Sequence, residues 1–340
     1  MGGRVTGLAR ETSGPIRIAI DAMGGEGSPG VEVEGGVAAA RESGGTVEVV
    51  LVGREDLVSA ELAGHDLEGL SVSVVDAPET IEMGESPASA VRRKRGASIV
   101  VATDLHKRGE VDGLVSAGNT GAVVASSLLG LGMLPNVRRP AIASPFPTAQ
   151  KPAIVLDVGA SIDSRPADLL EFAAMGDVLA RHLLGLERPR VALMNIGEEP
   201  TKGSQVAQDA YALLVDSPLD FVGNVEGKGF LRGEADVVVC DGFVGNIVLK
   251  LVEGMRDLLR GILSTSGAAK DMSSLVDQFD YSEYGGALLL GVAGIVIIAH
   301  GASSPKAIKN AVKVAARFAE AHLDSSIVER LKEVGGTDGQ

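Results

Sequence analysis

Tryptophan is absent from this chain, and aromatic residues fill only 3% of its 340 positions. A core without large rings must be packed by Ala, Gly, Val and Leu, which suits tight helix-on-sheet layers. There is a single cysteine, Cys240. That excludes an internal disulfide framework and fits a reducing cytoplasm. The histidines His65, His106, His182, His300 and His322 are scattered, and no Cys/His cluster has metal-ligand spacing, so neither a metal nor a cofactor is expected. Positive charge is in deficit: 31 Lys and Arg stand against 45 Asp and Glu, for a net charge of −14. Such a balance argues against non-specific nucleic-acid binding. No apolar run is long enough to span a bilayer. The longest, residues 287–299, is interrupted by Gly291 and Gly294 and reads as a buried helix or strand. Residues 1–15 lack the apolar stretch of a signal peptide and read as a flexible tail, as do residues 334–340.

What the chain has is a repeated local event. A β-prone run stops, a short block of glycine and polar residues follows, and a helical pattern opens. Strand candidates lie at residues 16–20, 47–52, 72–75, 113–115, 141–145, 153–156, 191–195, 221–225 and 237–240. Several are near-continuous Val, Ile and Leu, as expected for strands covered on both faces. Helix-like segments alternate with them, and Ser86-Pro87 and Ser304-Pro305 read as helix starts. The expected architecture is an α/β fold with a mainly parallel sheet, one domain over residues 16–333. Neither a Pro/Ser-rich linker nor an internal repeat divides it. Residues 249–263 form an amphipathic segment and residues 264–280 are polar, so 249–281 reads as a helical excursion from the body.

The glycine-polar blocks carry the functional reading. Ser116, Gly118, Asn119, Thr120 and Gly121 follow one strand and open a helix. Unpaired amides and the helix dipole at such a turn suit an anion, most often a phosphate. Similar blocks contain Asp21, Gly24 and Gly25; Asp157; Asn195, Glu198 and Lys202; and Asp241 and Asn246. Together they point to one crevice at the carboxyl edge of a parallel sheet. Gly25, Gly27 and Gly30 formally match a dinucleotide fingerprint, but Pro29 and the adjacent Asp21 favour a turn lining a phosphate or pantetheine pocket. Lys202 suits an oxyanion or carbonyl, with a solvated surface pair as the plainer alternative. Asn246 is either an oxyanion donor or a helix cap. Cys240 ends an apolar strand and reads as a small buried hydrophobe. His300 is either a general base or a hydrogen-bonded turn residue.

Taken in order, Asp-Ala-Met-Gly-Gly, Ser-Ala-Gly-Asn-Thr-Gly-Ala, Arg-Arg-Pro-Ala, Leu-Asp-Val-Gly-Ala, Asn-Ile-Gly-Glu-Glu, Cys-Asp-Gly-Phe-Val-Gly-Asn and His-Gly-Ala-Ser form a series. It resembles the PlsX family of phosphate acyltransferases of bacterial phospholipid synthesis, from about residue 16 to about residue 331. The resemblance implies a three-layer α/β/α sandwich, similar to the isocitrate/isopropylmalate dehydrogenase fold. It implies reversible acyl transfer from acyl–acyl carrier protein to inorganic phosphate, giving acyl phosphate for a downstream glycerol-3-phosphate acyltransferase. It also implies a cytoplasmic homodimer with peripheral membrane contact, and Lys202 and Asn246 as the catalytic pair. The remaining block residues would help hold phosphate and substrate. Arg92, Arg93, Lys94 and Arg95, the only run of four basic residues, would dock the acidic carrier protein. Competing readings are a short-chain enzyme using acetyl- or butyryl-coenzyme A, a non-catalytic lipid-synthesis scaffold and, more distantly, a nicotinamide dehydrogenase.

Overall fold

The computed structural model describes residues 14–266 and 285–335. The chain divides into two compact units, each made of two chain segments: residues 1–134 with 282–324, and residues 135–281 with 325–340. No shift in composition marks the crossing points, which is why sequence alone suggests a single body.

In the first unit the strands are β1 (Ile16–Asp21), β2 (Val47–Gly53), β3 (Val72–Asp76), β4 (Gly113–Ser116), β10 (Ala287–Leu290) and β11 (Ile295–Ile298). Their order is β3-β2-β1-β4-β11-β10. All neighbours run parallel except β10 and β11. The apolar run 287–299 is therefore two strands. Gly291 and Gly294, both at positive φ, make the reversal between them. The flanking helices are α1 (Gly30–Glu42), α2 (Glu55–Leu62), α3 (Pro87–Arg93), α4 (Ser98–Lys107), α5 (Thr120–Gly130) and α10 (Pro305–Glu320). Ser304 caps α10 by accepting the Ala307 N–H, whereas Ser86 occupies the cap position of α3 without a side-chain bond.

In the second unit the strands are β5 (Ala141–Phe146), β6 (Ala153–Leu156), β7 (Arg190–Met194), β8 (Asp220–Val225) and β9 (Val237–Val239). Their order is β5-β6-β9-β7-β8, parallel except for β5 against β6. Its helices are α6 (Pro166–Leu184), α7 (Gln205–Val215), α8 (Gly227–Leu231) and α9 (Gly242–Ser266). A last helix, α11 (Leu323–Gly335), follows α10. Residues 153–156 and 237–240 are buried throughout, which explains their unbroken apolar sequences. The expected excursion begins inside α9; residues 267–281 lie outside the described residues, as do most of the two expected tails.

Candidate functional site

The block residues fall into two clusters, one in each unit, each at the carboxyl ends of adjacent parallel strands. In the first unit the neighbours β1, β4 and β11 end at Asp21, Ser116 and Ile298. The Ser116 hydroxyl donates to the Asp21 carboxylate (2.7 Å) and accepts the Gly118 N–H (3.1 Å). Gly24 packs so closely on Gly118 that a Cβ at residue 24 would stand 2.7 Å from the Gly118 nitrogen. Only glycine permits that approach. Glu26 N–H donates to the Gly301 carbonyl at 2.8 Å, and the Gly25 N–H donates to Ser28 Oγ at 2.7 Å. The three turns are thus tied together.

These bonds give several of the expected phosphate ligands partners within the protein. Ser116 is fully buried, its hydroxyl hydrogen given to Asp21 and one lone pair taken by the Gly118 amide. Asp21 is buried, and burial pushes its carboxyl up against the pull of Ser98, Ser116 and the Met23 amide. Asn119 caps α5, accepting the Ala122 N–H (3.1 Å) and donating to the Met83 carbonyl (2.8 Å). What faces outward is the exposed Thr120 at the first position of α5, with Gly121 behind it. The cavity beneath, lined by Asp21, Ser98 and Ser116, measures about 10 Å³, room for roughly one water. His300 is exposed and its Nδ1 accepts the Ala302 N–H (3.1 Å), holding its own turn.

Sequence reading missed Glu32 in this cluster. It lies on α1 at 1% exposure, beside Gly25 and Ser28, and its Oε2 has no hydrogen-bond partner among the described residues. Burial, reinforced by the charge of Asp21, pushes its carboxyl up from 4.5 to about 7. Between those values the folded protein holds a proton that the unfolded chain has released. The contribution of Glu32 to stability is therefore complete below about pH 4.5 and lost as pH rises through about 7. The loss is on the order of 3 kcal/mol. Urea unfolding midpoints measured from pH 4.5 to 8 should fall along that window in the parent and lose this fall in Glu32→Gln; an identical slope in both would assign it to other groups.

In the second unit the neighbours β6, β9 and β7 end in the loops that carry Asp157, Asp241 and Asn195. Asp157 is fully buried. Its Oδ1 accepts the amides of Ile142, Gly159 and Ala160, each at 2.9 Å, and its Oδ2 accepts that of Ser161 at 2.7 Å. It organises the turn, with both oxygens engaged by backbone amides. Asp241 accepts the Val244 N–H at the start of α9 (2.9 Å) and is the cap of that helix. Asn246, in the next turn, is therefore free of capping. It is exposed and donates one amide hydrogen to the Val158 carbonyl at 3.3 Å. Gly245 allows this geometry, because a Cβ there would run into the Asp157 carbonyl.

Lys202 stands on a loop fixed from several sides. Asn195 Nδ2 donates to the Lys202 carbonyl at 3.0 Å, while its Oδ1 accepts the Ile196 N–H. Asn224 donates to the Glu199 carbonyl (2.9 Å), and Gln208 donates to those of Thr201 and Gly203. Asn224 and Gln208 carried no sequence signal, since each acts through a distant backbone oxygen. The Lys202 ammonium itself is half-exposed, 4.0 Å from an exposed Glu199 carboxylate. Glu198 is exposed on the same loop. Cys240 is buried, its thiol pushed well up by burial and then by the carboxylates of Asp157 and Asp241, so it is no nucleophile. Among the described residues no group of three or more His, Cys, Asp or Glu is disposed for a metal ion.

The basic run departs from the expected open helix face. Lys94 is half-buried, paired with Glu85 at 2.5 Å and donating to the Thr80 carbonyl at 2.7 Å. Arg93 lies 3.9 Å from the same carboxylate. Arg92 and Arg95 are exposed.

Comparison with known proteins finds matches over nearly the whole chain. The family model described as fatty acid synthesis protein matches residues 16–325. A phosphate acyltransferase of Heliobacterium modesticaldum is 46% identical over 329 residues, covering 93% of this chain and 98% of its own. One from Geobacter sulfurreducens is 43% identical, covering 93% and 94%. Among solved structures, the EutD phosphotransacetylase of Staphylococcus aureus superposes with a TM-score of 0.59 at 18% identity, covering 90% of this chain and 94% of its own. A phosphotransacetylase from Streptococcus pyogenes gives 0.60 at 17%, covering 90% and 94%. At such identities these two establish a shared fold, a mainly parallel sheet flanked by helices. The chain belongs to the phosphate acyltransferase family, and it is an enzyme that transfers an acyl group to phosphate.

Proposed function

We propose that the acyl group is a long-chain fatty acyl, delivered as its thioester by acyl carrier protein. Inorganic phosphate attacks the thioester carbonyl, the carbon–sulfur bond breaks, and acyl phosphate and the carrier thiol leave. Two groups in the second unit carry the chemistry in this reading. Lys202 offsets the charge of phosphate, and the amide of Asn246 donates to the developing oxyanion. The observation that carries it is the combination on the Lys202 loop: a backbone tied by Asn195, Asn224 and Gln208, and a half-exposed ammonium no nearer than 4.0 Å to the Glu199 carboxylate. A structural lysine would show the reverse. Taken by itself, the start of α5 in the first unit, at Thr120 and Gly121, offers amides that suit an anion.

The same reading makes the protein a cytoplasmic homodimer with peripheral membrane contact, feeding glycerol-3-phosphate acyltransferase. Support comes from α9, where Phe243, Ile247, Leu251, Met255, Leu258 and Ile262 form an exposed apolar stripe. None of the described helices is long and apolar enough to cross a membrane. The deciding assay traps acyl phosphate as its hydroxamate, with palmitoyl–acyl carrier protein and acetyl-coenzyme A as parallel donors. Phosphate-dependent product from the carrier-protein donor alone is expected; product from acetyl-coenzyme A alone would make this a short-chain enzyme.

Carrier-protein docking by the basic run rests on Arg92 and Arg95, since Lys94 is spent on Glu85. Reversing both to Glu should raise KM for the carrier-protein donor about ten-fold at low salt, with the difference shrinking as salt screens it. An unchanged KM at low ionic strength would retire this face as the docking site.

A further inference from the structure

The second unit holds a cavity of about 540 Å³, within the roughly 300–1,000 Å³ usual for small-molecule sites. Its buried side is apolar. Leu169, Leu193 and Cys240 line it at 3%, 1% and 3% exposure, with Met194, Ala207 and Val244 beside them. Its outer side is polar and carries both charges. Arg139 and Asp241 there are already engaged, by Asp168 (3.5 Å) and by the Val244 amide, while Arg165 and Asp163 are exposed. Ser164 also lines the cavity, and its hydroxyl oxygen is buried with no hydrogen-bond partner among the described residues. A buried hydroxyl of that kind costs stability unless something completes its bond.

The cavity also shares its walls with the reacting loops. Ser204, two residues beyond Lys202, and Val244, two residues before Asn246, both line it. An occupant must therefore be apolar at one end and polar but without net charge at the other, with its polar end beside those loops. We infer that this cavity seats the acyl chain of the thioester donor, with Ser164 donating to the polar group at the head of the chain. The inference rests on the long-chain reading above and gives it a place: the space walled by Leu169, Leu193, Ala207 and Val244 measures the chain.

S-Dodecanoyl-N-acetylcysteamine and S-butanoyl-N-acetylcysteamine are suitable probes, titrated calorimetrically into the full chain in phosphate-free buffer, where no transfer occurs. Each buried methylene adds up to about four-fold to affinity, and even about two-fold for each of the eight methylenes that separate the probes should make the parent bind the dodecanoyl probe over 100-fold tighter. Ala207→Phe, which fills the cavity from α7, should cut dodecanoyl affinity ten-fold or more and leave butanoyl affinity unchanged. Ala207→Leu, a smaller plug, should do the same in lesser degree if the larger one fails to fold. Ser164→Ala should weaken both probes alike, about three-fold. Equal affinities for the two probes in the parent, or an Ala207→Leu protein that binds both as the parent does, would overturn the assignment. A parent that binds the long probe yet makes acyl hydroxamate from acetyl-coenzyme A alone would sink the carrier-protein reading instead, so the two failures are distinguishable.

Discussion

Lys202→Ala should lower kcat/KM about 1,000-fold while leaving the melting temperature unchanged. The size follows from what the ammonium is asked to do. A preorganised donor or charge aimed at developing negative charge is worth about 10²–10³ in rate. The unchanged stability follows from the geometry. Nζ is 4.0 Å from Glu199 and both groups are solvated, and exposed pairs of this kind contribute roughly 0–1 kcal/mol. The loop would stay in place, because Asn195 holds it through the backbone carbonyl of residue 202 and not through its side chain. The kinetic split identifies the role. If Lys202 holds phosphate, KM for phosphate rises while kcat falls; if it acts only on the oxyanion, kcat falls alone. Asn246→Ala provides the contrast, with a loss in kcat and little change in KM for phosphate. A folded Lys202→Ala protein within five-fold of the parent would remove this side chain from the reaction.

The sequence reading and the structure meet most closely where local chemistry decides the outcome. Strands β1, β2, β6 and β9 are legible because residues covered on both faces must be apolar, whatever surrounds them. The turns after them are legible because glycine at a close approach, such as Gly24 on Gly118, admits no substitute. Family membership is legible for a different reason: seven blocks in one order are specific even though each alone is not. What escaped was the division of labour inside the blocks. Asp157, Asp21, Ser116 and Asn119 have the chemistry of ligands, but they are consumed by backbone amides and by each other. A sequence lists hydrogen-bonding groups without showing which are already paired. Glu32 escaped for the converse reason, since a glutamate in a polar turn gives no sign that packing will bury it. The chain reversal at residues 291–294 escaped because a short apolar run has no periodicity that separates a strand pair from a helix.

Asp157→Ala is the change expected to damage folding most. Four backbone amides converge on this one carboxylate, three on Oδ1 and one on Oδ2. They come from the start of β5 and from the turn after β6, so a single side chain joins two strands to a loop. Burial alone raises the carboxyl, and the amides of Ala160, Ile142, Gly159 and Ser161 oppose that rise by favouring the charged form. Alanine would leave the amides of Ile142 and Ser161 buried without acceptors, at about 1–3 kcal/mol each, and would leave a cavity where the carboxyl stood. A loss of about 4 kcal/mol is expected, in the range reserved for broken buried networks. Asp157→Asn should recover only part of it, because its NH₂ would face the donor from one of these amides. The same turn supports Gly242, whose N–H donates to the Ser161 carbonyl, and Asn246, whose amide reaches the Val158 carbonyl. Activity should therefore fall further than stability in any Asp157 variant that remains folded. Urea denaturation with turnover measured on the same samples tests both halves. A stability loss under 1 kcal/mol would mean that the four bonds are replaceable by water, and normal turnover in a destabilised Asp157→Asn protein would mean that Asn246 does not depend on this turn for its position.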